Sequence, residues 1–380
     1  MSSDANMEGV GKSLGRILLL LGFVLLVVTS IVPLPNLIRS LVVIFASAVT
    51  VVYVSMPFIM RVATAMGAID HPGGRRIHDI PTPRFGGIAV YAGVIVALCL
   101  TSMHYMPNLK ALLVGGSLVL VVGVLDDIAA VRPSVKLFGQ LAACAILVGD
   151  GVCVSFLPAT WWGIAGEWLI TVVWIVGITN AVNFLDGMDG LVAGLVCGTS
   201  VIYFTLSILL GSNMLAYCSV ALFAASAAFL SHNIKPARIF LGDGGSNFLG
   251  FFLAALSIHG TWAKRDPLVS FFIPILILSV PIYDMVFTTV ARIASGDVTS
   301  LRSWLEFTGR DHIHHRLEQL GLTRGWVVVT ICFLNMAVGL GAITLFEART
   351  YGGVALIAQG VCVYVILALL EVLGARGRDS

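Results

Sequence analysis

The sequence predicts an all-α, polytopic integral membrane protein with about 11 to 12 transmembrane helices. Three observations predict this fold class: the apolar composition, the number of long apolar runs and the distribution of basic residues. Of the 380 residues, 58% are hydrophobic and 11% are charged, whereas about a quarter of the residues in a soluble domain are charged. A soluble protein of this composition would expose too much apolar surface to stay dissolved.

Long apolar runs recur along the whole chain. A transmembrane helix needs about 20 apolar residues, and hydropathy indicates about twelve candidates. The first lacks a small-residue cleavage site after it, so we interpret it as an extra N-terminal anchor and not as a signal peptide. The runs lie near 15–33, 40–62, 87–103, 110–125, 137–155, 167–183, 188–211, 214–232, 246–262, 268–291, 326–346 and 353–374.

The basic residues predict the orientation. If the N-terminus is cytoplasmic and every run crosses the membrane, about three quarters of the 22 Lys and Arg residues fall on the cytoplasmic side, as the positive-inside rule requires. No linker or internal repeat divides the chain, so residues 1–380 are predicted to form a single transmembrane domain. The predicted cytoplasmic loops lie near 64–86, 126–136, 183–188, 233–245 and 292–325.

Polar side chains concentrate in five segments, all on the predicted cytoplasmic side. Carboxylates beside Asn suit Mg²⁺, which prefers hard oxygen ligands, and Arg with His suits a pyrophosphate. The glycines of GDGGS would let the backbone approach a phosphate. Together these features are typical of phosphoryl transfer at one membrane surface. The segments are DHPGGRRIHDIPTPRFGG, VLDDIAAVRPSVKLFGQ, NFLDGMDG, HNIKPARIFLGDGGS and GRDHIHHRLEQLG.

Each segment also has a simpler interpretation. Asp126 and Asp127 could end a span at the headgroups, and DGMDG could be a tight turn. HIHH could bind anionic lipid or Zn²⁺, Asp243 could cap a helix, and Gly86–Gly87 could mark close helix packing. The chemical interpretation is favoured because all the simpler ones would have to coincide on one membrane face.

Four of these segments, in this order, resemble the signature blocks of the polyprenyl-phosphate N-acetylhexosamine-1-phosphate transferases: VLDDIAAVRPSVKLFGQ, NAVNFLDGMDGL, HNIKPARIFLGDGGSNFLGF and DHIHHRLEQLG. That family transfers a sugar 1-phosphate from a UDP-sugar to a membrane polyprenyl phosphate and releases UMP, with Mg²⁺. The resemblance implies a multi-pass glycosyl-1-phosphate transferase of the bacterial inner membrane. Its single catalytic domain would have the active site facing the cytoplasm, where a soluble donor meets a lipid acceptor.

The resemblance also implies residue roles, position by position. Asp243 is implied as the principal ligand of Mg²⁺, or of Mn²⁺ in its place, with Asn183 as a second ligand. Asp126 or Asp127 is implied as base or nucleophile. The sequence leaves open whether the lipid phosphate attacks directly or a phospho-aspartate forms. Lys136 is implied to position a phosphate.

A second group of residues is implied to complete the catalytic site and bind the donor. Asp186 and Asp189 would shape the metal and nucleotide site, with Asp189 nearer the uridine. Phe240 would stack on the uracil, and Asn233 would help to bind the nucleoside. The resemblance also implies basic side chains that bind substrate: Arg76, His78, His312, His314, His315 and Arg316. The last three would bind its pyrophosphate and sugar.

The basic block favours one branch of the family. HIHHR stands where the muramoyl-pentapeptide enzymes of peptidoglycan synthesis typically have three consecutive histidines. The implied donor is therefore a plain UDP-N-acetylhexosamine, above all UDP-N-acetylglucosamine, and the muramoyl-pentapeptide donor is the alternative. The acceptor would be undecaprenyl phosphate. The reaction would be the first membrane step of lipopolysaccharide or cell-wall biogenesis, of the O-antigen, enterobacterial common antigen or teichoic acid type.

Other readings of the chain stay open or are disfavoured. The donor sugar, the pathway and the oligomeric state, including a homodimer, stay open, and membrane lipid but no nucleic acid is expected as a partner.

A secondary transporter is the rival class, but it would need ionisable groups at mid-membrane. Asp284 is the acidic residue that best fits that description. It could instead be a buried partner of a cytoplasmic Arg or part of the lipid-phosphate path.

Overall fold

The computed structural model describes residues 2–71, 81–101, 106–259, 262, 267–300, 309, 311–347 and 350–376. These residues belong to two compact units, within 1–259 and within 260–380, and each unit is considered by itself. Compactness does not decide whether a unit folds alone, so the single catalytic domain stays a prediction.

The predicted all-α polytopic membrane fold is confirmed. Among the described residues, eight helices are long and apolar enough to cross a membrane, or nine if one bent pair counts as a span. Two further apolar helices, Gly86–Thr101 and Pro133–Gly149, are shorter than these eight. The apolar runs of the sequence therefore became helices, although some of these helices are too short to count as spans by length.

The first unit contains nine helices among its described residues and a small antiparallel pairing of β1 (Ile69–Asp70) with β2 (Thr82–Pro83). The helices are α1 (Ser2–Ile31), α2 (Asn36–Ala65), α3 (Gly86–Thr101), α4 (Leu109–Ala129), α5 (Pro133–Gly149), α6 (Trp161–Leu185), α7 (Leu191–Leu210), α8 (Asn213–Asn233) and α9 (Gly242–His259).

Local sequence signals set several helix ends in this unit. The side chain of Thr160 accepts a hydrogen bond from the Gly163 backbone N–H at 3.2 Å and caps α6, as hydroxyl side chains commonly do. Pro133 occupies the first position of α5, where its missing N–H costs nothing. Gly211 ends α7 with φ +66°, a conformation that glycine adopts without strain.

Helix α9 lies at the centre of the first unit and packs against α3, α4 and α6. Nearly all of its residues are buried. Its first turn approaches two neighbouring helices very closely: a Cβ on Gly87 would lie 2.1 Å from the Gly245 Cα, and a Cβ on Gly123 would lie 2.5 Å from the Gly244 Cα. Gly87 thus marks close helix packing, as one interpretation of the sequence proposed. The expectation that the GDGGS glycines leave backbone free for a phosphate is wrong for Gly244 and Gly245, because helix contacts bury both.

The second unit contains five helices among its described residues: α10 (Pro267–Ile277), α11 (Ser279–Ser295), α12 (Ile313–Gln319), α13 (Arg324–Glu347) and α14 (Thr350–Arg376). The sequence predicted one span over 268–291, but the axes of α10 and α11 differ by 86°. The break at Leu278 lies between Pro274 and Pro281. Proline has no N–H to continue a helical hydrogen-bond ladder, and hydropathy does not register this effect.

Candidate functional site

The ends of four helices bring most of the predicted catalytic residues of the first unit together. These residues are Asp126 and Asp127 at the end of α4, Lys136 in the first turn of α5, Asn183 and Asp186 at the end of α6, and Asp243 in the first turn of α9. Helices α4 and α5 are consecutive, but α6 and α9 lie much further along the chain, so this cluster is a product of the tertiary fold.

The Lys136 ammonium joins two of the carboxylates. Its Nζ lies 2.5 Å from Asp126 Oδ2 and also forms an ion pair with Asp243 Oδ2. The second oxygen of Asp126 accepts a hydrogen bond from the Val131 backbone N–H at 2.8 Å. All three charged side chains stay partly exposed, so the cluster is within reach of a ligand.

Asn183 supports Asp243 from the neighbouring helix. Its Nδ2 lies 3.3 Å from Asp243 Oδ1 and donates to Ser246 Oγ at 2.8 Å. The hydroxyl of Ser246 in turn donates to the Gly242 carbonyl at 3.1 Å. These contacts hold the end of α6 against the start of α9, so that the two predicted metal ligands face each other.

Asp127 differs from Asp126 in its contacts. Its two carboxylate oxygens accept hydrogen bonds from the backbone N–H groups of Asp243 at 3.0 Å and Gly244 at 3.1 Å. The first N–H groups of a helix, such as these two in α9, have no carbonyl partner within the helix. A negative charge at that end of the helix also interacts favourably with the helix dipole. Helix α9 is therefore capped by a residue of α4, not by Asp243 itself.

Negative charge exceeds positive charge around Asp186. Burial raises the pKa of this carboxyl well above its usual range, and Asp243 and Asp127 raise it further, while Arg84 acts in the opposite direction. Arg84 is itself paired with Asp70 at 2.6 Å. An added cation would therefore be stabilised at this cluster.

The donor chemistry of the cluster fits Mg²⁺. Asp243, Asp126 and Asn183 carry hard oxygen atoms, and the surplus of negative charge favours a divalent cation. Among the described residues, no three Asp, Glu, His or Cys side chains converge as a preformed metal cage. Mg²⁺ commonly uses one or two carboxylates and completes its shell with water and substrate phosphates, so a cage is not required.

Asp189 and Asn233 join two loops of the site. Asp189 Oδ2 accepts from the Ala237 backbone N–H at 3.1 Å. Asn233 is buried, accepts from the Gly190 N–H at 2.8 Å and donates to the Ile239 carbonyl at 3.0 Å. The DGMDG segment is thus a turn, but one fixed to the loop after α8. The nucleoside-binding roles of Asp189 and Asn233 stay predictions, and their structural role was not foreseen.

Phe240 lies at the end of that same loop. Its backbone N–H donates to the Pro83 carbonyl at 2.8 Å, and its carbonyl accepts from the Gly86 N–H at 2.9 Å. The ring is partly exposed. Stacking on a uracil stays a prediction, since the contacts show only that the backbone of Phe240 is held firmly.

In the second unit, the predicted His and Arg residues lie on or directly before α12, which we call the histidine helix (Ile313–Gln319). His312 Nδ1 lies 2.7 Å from Asp284 Oδ2, and the Ile313 N–H donates to Asp284 Oδ1 at 2.5 Å. Arg292 forms two bonds with Asp311, at 2.6 and 2.7 Å. Asp284 is therefore a buried partner of His312 and of Arg316, which is one of the three roles that the sequence left open.

His314 and His315 lie side by side on the histidine helix, with ring centroids 4.2 Å apart. His314 is buried, and within the described part of the chain neither of its ring nitrogens has a hydrogen-bond partner. Burial, reinforced by the neighbouring basic side chains, lowers the pKa of His314 well below its usual range. His315 stays partly exposed. Because His314 is buried and neutral while His315 is partly exposed, His315 is the better placed of the two to meet a ligand.

The predicted residues are thus placed in two groups. The carboxylate cluster belongs to the first unit and the histidine helix to the second, and Arg76 and His78 lie outside the described residues. The residue that the sequence did not single out is Glu371, buried in α14 and paired with Arg316. A lone acid in an apolar run was the available signal.

Comparison with known proteins gives similarities over most of the chain. A family model described as glycosyl transferase family 4 matches residues 109–261. A probable undecaprenyl-phosphate N-acetylglucosaminyl 1-phosphate transferase of Bacillus subtilis (strain 168) is 35% identical over 322 residues, which cover 83% of this chain and 87% of that protein. A decaprenyl-phosphate N-acetylglucosaminephosphotransferase of Mycobacterium tuberculosis (strain ATCC 25618 / H37Rv) is 32% identical, over 90% of this chain and 91% of that protein. An undecaprenyl-phosphate alpha-N-acetylglucosaminyl 1-phosphate transferase of Escherichia coli (strain K12) is 27% identical, over 74% of this chain and 77% of that protein.

Proposed function

The chain belongs to glycosyl transferase family 4, and we propose that it transfers N-acetylglucosamine 1-phosphate from UDP-N-acetylglucosamine to undecaprenyl phosphate, releasing UMP. The observation that carries this proposal is the cluster in which the Lys136 ammonium joins Asp126 and Asp243 at the meeting point of four helix ends. Such a site combines fixed positive charge with oxygen ligands, which is what phosphoryl transfer between two anionic substrates requires. The names of the relatives support the polyprenyl phosphate acceptor and the N-acetylglucosamine group.

In the proposed reaction an oxygen of the lipid phosphate attacks the sugar-bearing phosphorus of the donor. The bond from that phosphorus to the bridging oxygen breaks, and UMP leaves with that oxygen. Asp243 and Asn183 are the residues that would hold Mg²⁺. The chemistry that the ion supplies when bound is neutralisation of charge on the pyrophosphate.

The contacts favour Asp126 over Asp127 as the residue that meets the acceptor. Both oxygens of Asp127 already accept backbone N–H groups of α9, whereas Asp126 faces Lys136. Asp126 would accept a proton from the lipid phosphate when that phosphate carries one, and Lys136 would hold the phosphate oxygens. Asp127 would act by fixing the first turn of α9, which carries Asp243.

The proposed setting is the cytoplasmic membrane of a bacterium, with the site facing the cytoplasm. The proposed step opens a cell-surface polysaccharide pathway of the O-antigen, enterobacterial common antigen or teichoic acid type. UDP-N-acetylhexosamine is a soluble anion and undecaprenyl phosphate carries its charge at the membrane surface, so a site at helix ends can meet both. The muramoyl-pentapeptide donor is the second candidate, and the names of the relatives favour N-acetylglucosamine over it.

One assay tests the reaction. The protein in detergent or nanodiscs is given undecaprenyl phosphate, Mg²⁺ and one of three donors: UDP-N-acetylglucosamine, UDP-N-acetylgalactosamine or UDP-N-acetylmuramoyl-pentapeptide. We expect UMP release with the first donor and little with the third. Excess EDTA should stop the release, and Mg²⁺ or Mn²⁺ should restore it. The proposal fails if no donor yields UMP, or if EDTA has no effect.

The Asp243→Asn variant tests the metal separately from the fold. It removes one negative charge but keeps the shape of the side chain, so we expect transfer to be nearly abolished while the melting temperature in detergent stays close to that of the wild type. Transfer that persists in this variant at saturating Mg²⁺ would contradict the assignment of Asp243 as a metal ligand.

A further inference from the structure

Glu371 is a buried acid in the last described helix. It lies in the apolar stretch Gly353–Val372 of α14, and only 5% of its surface is exposed. An ionisable residue in such a stretch is costly, so it is kept in place by a partner or by a functional need. The contacts of Glu371 identify the partner.

Two side chains meet the same carboxylate oxygen of Glu371. Tyr283 donates its hydroxyl to Oε2 at 2.9 Å, and Arg316 Nε lies 2.9 Å from that atom. Tyr283 belongs to α11 and Arg316 to the histidine helix. Glu371 therefore connects three helices of the second unit at one point.

The rest of the Arg316 guanidinium also faces the protein. Nη1 donates to the Asp311 carbonyl at 2.7 Å, Nη2 lies 3.5 Å from Asp284 Oδ1, and Cζ lies 4.0 Å from the centroid of the Phe287 ring. The Arg316 side chain is 12% exposed. Since its nitrogens face carboxylates, a carbonyl and a ring of the same unit, Arg316 is placed to anchor the helix and has little surface left for a substrate.

The histidine helix depends on such anchors. It has seven residues, and a helix this short is not stable by itself in water. Asp284 holds its first residue, Ile313, and Arg316 holds its next turn against α14. Because His315 directly precedes Arg316, the position of Arg316 determines where the partly exposed His315 ring points.

We propose that Glu371 is a positioning residue for the histidine helix, acting through Arg316, and that Tyr283 orients the Glu371 carboxylate. Glu371 itself touches no substrate. The catalytic part of this inference rests on the proposed function and on the role that the family resemblance implies for the histidine helix, which is to bind the pyrophosphate and sugar of the donor. A purely stabilising ion pair is the alternative, and it predicts different results in two measurements.

The first measurement is steady-state kinetics of UMP release. We expect Glu371→Ala to lower kcat/KM for UDP-N-acetylglucosamine by about 10–100-fold, the usual cost of removing a group that orients a site residue. KM for undecaprenyl phosphate should stay within about 2-fold of the wild-type value, and we treat a difference of that size as no effect. Glu371→Gln keeps an acceptor oxygen and should lose less, and Tyr283→Phe should lose least. The Glu371→Ala/Arg316→Ala double variant should be no worse than Arg316→Ala alone, because the two residues act in series.

The second measurement is amide hydrogen exchange over residues 311–320, which needs no turnover. Glu371→Ala should speed exchange in this segment and leave exchange in α9 unchanged. The matched control is Glu318→Gln, which removes the charge of Glu318 on the same helix and so breaks its partly exposed ion pair, at 3.0 Å, with Arg324 of α13. Ion pairs near the surface contribute about 0–1 kcal/mol, so we expect the control to change neither exchange nor kinetics.

The outcomes separate the two proposals. If the wild type releases no UMP, the proposed function fails, and hydrogen exchange still decides whether Glu371 positions the helix. If the wild type is active but Glu371→Ala matches it, or if the losses of the single variants multiply in the double variant, the positioning proposal is wrong. It is equally wrong if activity in Glu371→Ala falls only in step with a lower melting temperature and with faster exchange throughout the chain.

Discussion

Asp126 and Asp127 are neighbours in the sequence, yet their carboxylates meet different partners. Asp126 faces the Lys136 ammonium, and Asp127 accepts two backbone N–H groups of another helix. The sequence predicted a site role for the acidic pair, and that role stays a prediction. It could not predict that the two carboxylates have different partners, because this depends on how closely α4 approaches α9, which is a tertiary contact.

This difference predicts opposite responses to substitution. Asp127→Ala removes the cap of α9 and should lower the free energy of unfolding by about 1 kcal/mol, the usual cost of losing a cap. Asp126→Ala should leave stability near that of the wild type but lower UMP release by at least ~100-fold, the scale of lost electrostatic stabilisation at a reacting group.

Thermal unfolding in detergent and the UMP assay measure the two effects. Asp127→Asn is the control, since its amide oxygen can still accept one N–H bond and should recover part of the lost stability. The assignment is reversed if Asp127→Ala is fully stable and inactive while Asp126→Ala keeps its activity.

We expect Asp186 to make the stability of the protein depend on pH. Burial and the nearby Asp243 and Asp127 raise the pKa of its carboxyl well above the usual range. A raised pKa in the folded state means that the protonated form is favoured by folding, so this contribution to stability is complete at acid pH. It is lost as the pH rises from the ordinary carboxyl range through the raised pKa.

We therefore expect the metal-free protein to lose thermal stability over that rise in pH, and Asp186→Asn to lose less. Added Mg²⁺ should reduce the difference between the two proteins, because a cation offsets the charge that Asp186 acquires. The measurement is the melting temperature against pH in EDTA and in Mg²⁺. Identical pH profiles for wild type and Asp186→Asn in EDTA would contradict this account of the cluster.

At the scale of the helices, hydropathy was a good guide to where the chain is helical and a poor guide to how the helices meet. Each apolar run corresponds to a helix, or to the bent pair in the case of 268–291. The bend was signalled by Pro274 and Pro281, but a hydropathy window counts proline only as a moderately polar residue. The close packing of α9 was signalled by glycines, whose partners could not be known before the fold.

Glycine contacts at α9 give a sharp prediction about packing. Gly87→Ala would put a Cβ 2.1 Å from the Gly245 Cα, a distance that forces α3 and α9 apart. We expect a loss of about 1–3 kcal/mol, typical of overpacking in a close-packed interior, together with reduced turnover, because Asp243 lies in the same turn of α9.

Gly177→Ala is the matched control. This glycine lies inside α6 and a Cβ there would meet nothing within 4 Å, so alanine should be neutral or should stabilise the helix by up to about 1 kcal/mol. Thermal unfolding of both variants in one detergent checks the pair. A Gly87→Ala protein as stable as Gly177→Ala would show that α3 and α9 do not depend on this contact.

On the scale of the whole molecule, the residues that the sequence assigned to the site lie in two compact units: carboxylates and Lys136 in the first, histidines and Arg316 in the second. The sequence placed both groups on one membrane face from the distribution of Lys and Arg, an argument that uses no contact at all. It could not show that Arg316 is enclosed by its own unit, since Glu371 lies 55 positions further along the chain, in an apolar helix.

The proposed cytoplasmic location of the site leads to a prediction for intact membranes. A UDP-sugar carries charges that keep it from crossing a bilayer, so we expect the proposed donor to reach the site from one side only. Inverted vesicles, which expose the cytoplasmic face, should release UMP from external UDP-N-acetylglucosamine when undecaprenyl phosphate is present in the membrane. Right-side-out vesicles of the same preparation should do so only after detergent opens them. After opening, the two should have equal activity per molecule of protein, which controls for unequal reconstitution.

Equal activity in sealed vesicles of both orientations, with the seal verified by a trapped dye, would mean that the donor site is open to both faces. The positive-inside assignment of the site loops would then be wrong, whereas the carboxylate cluster and its chemistry would stand.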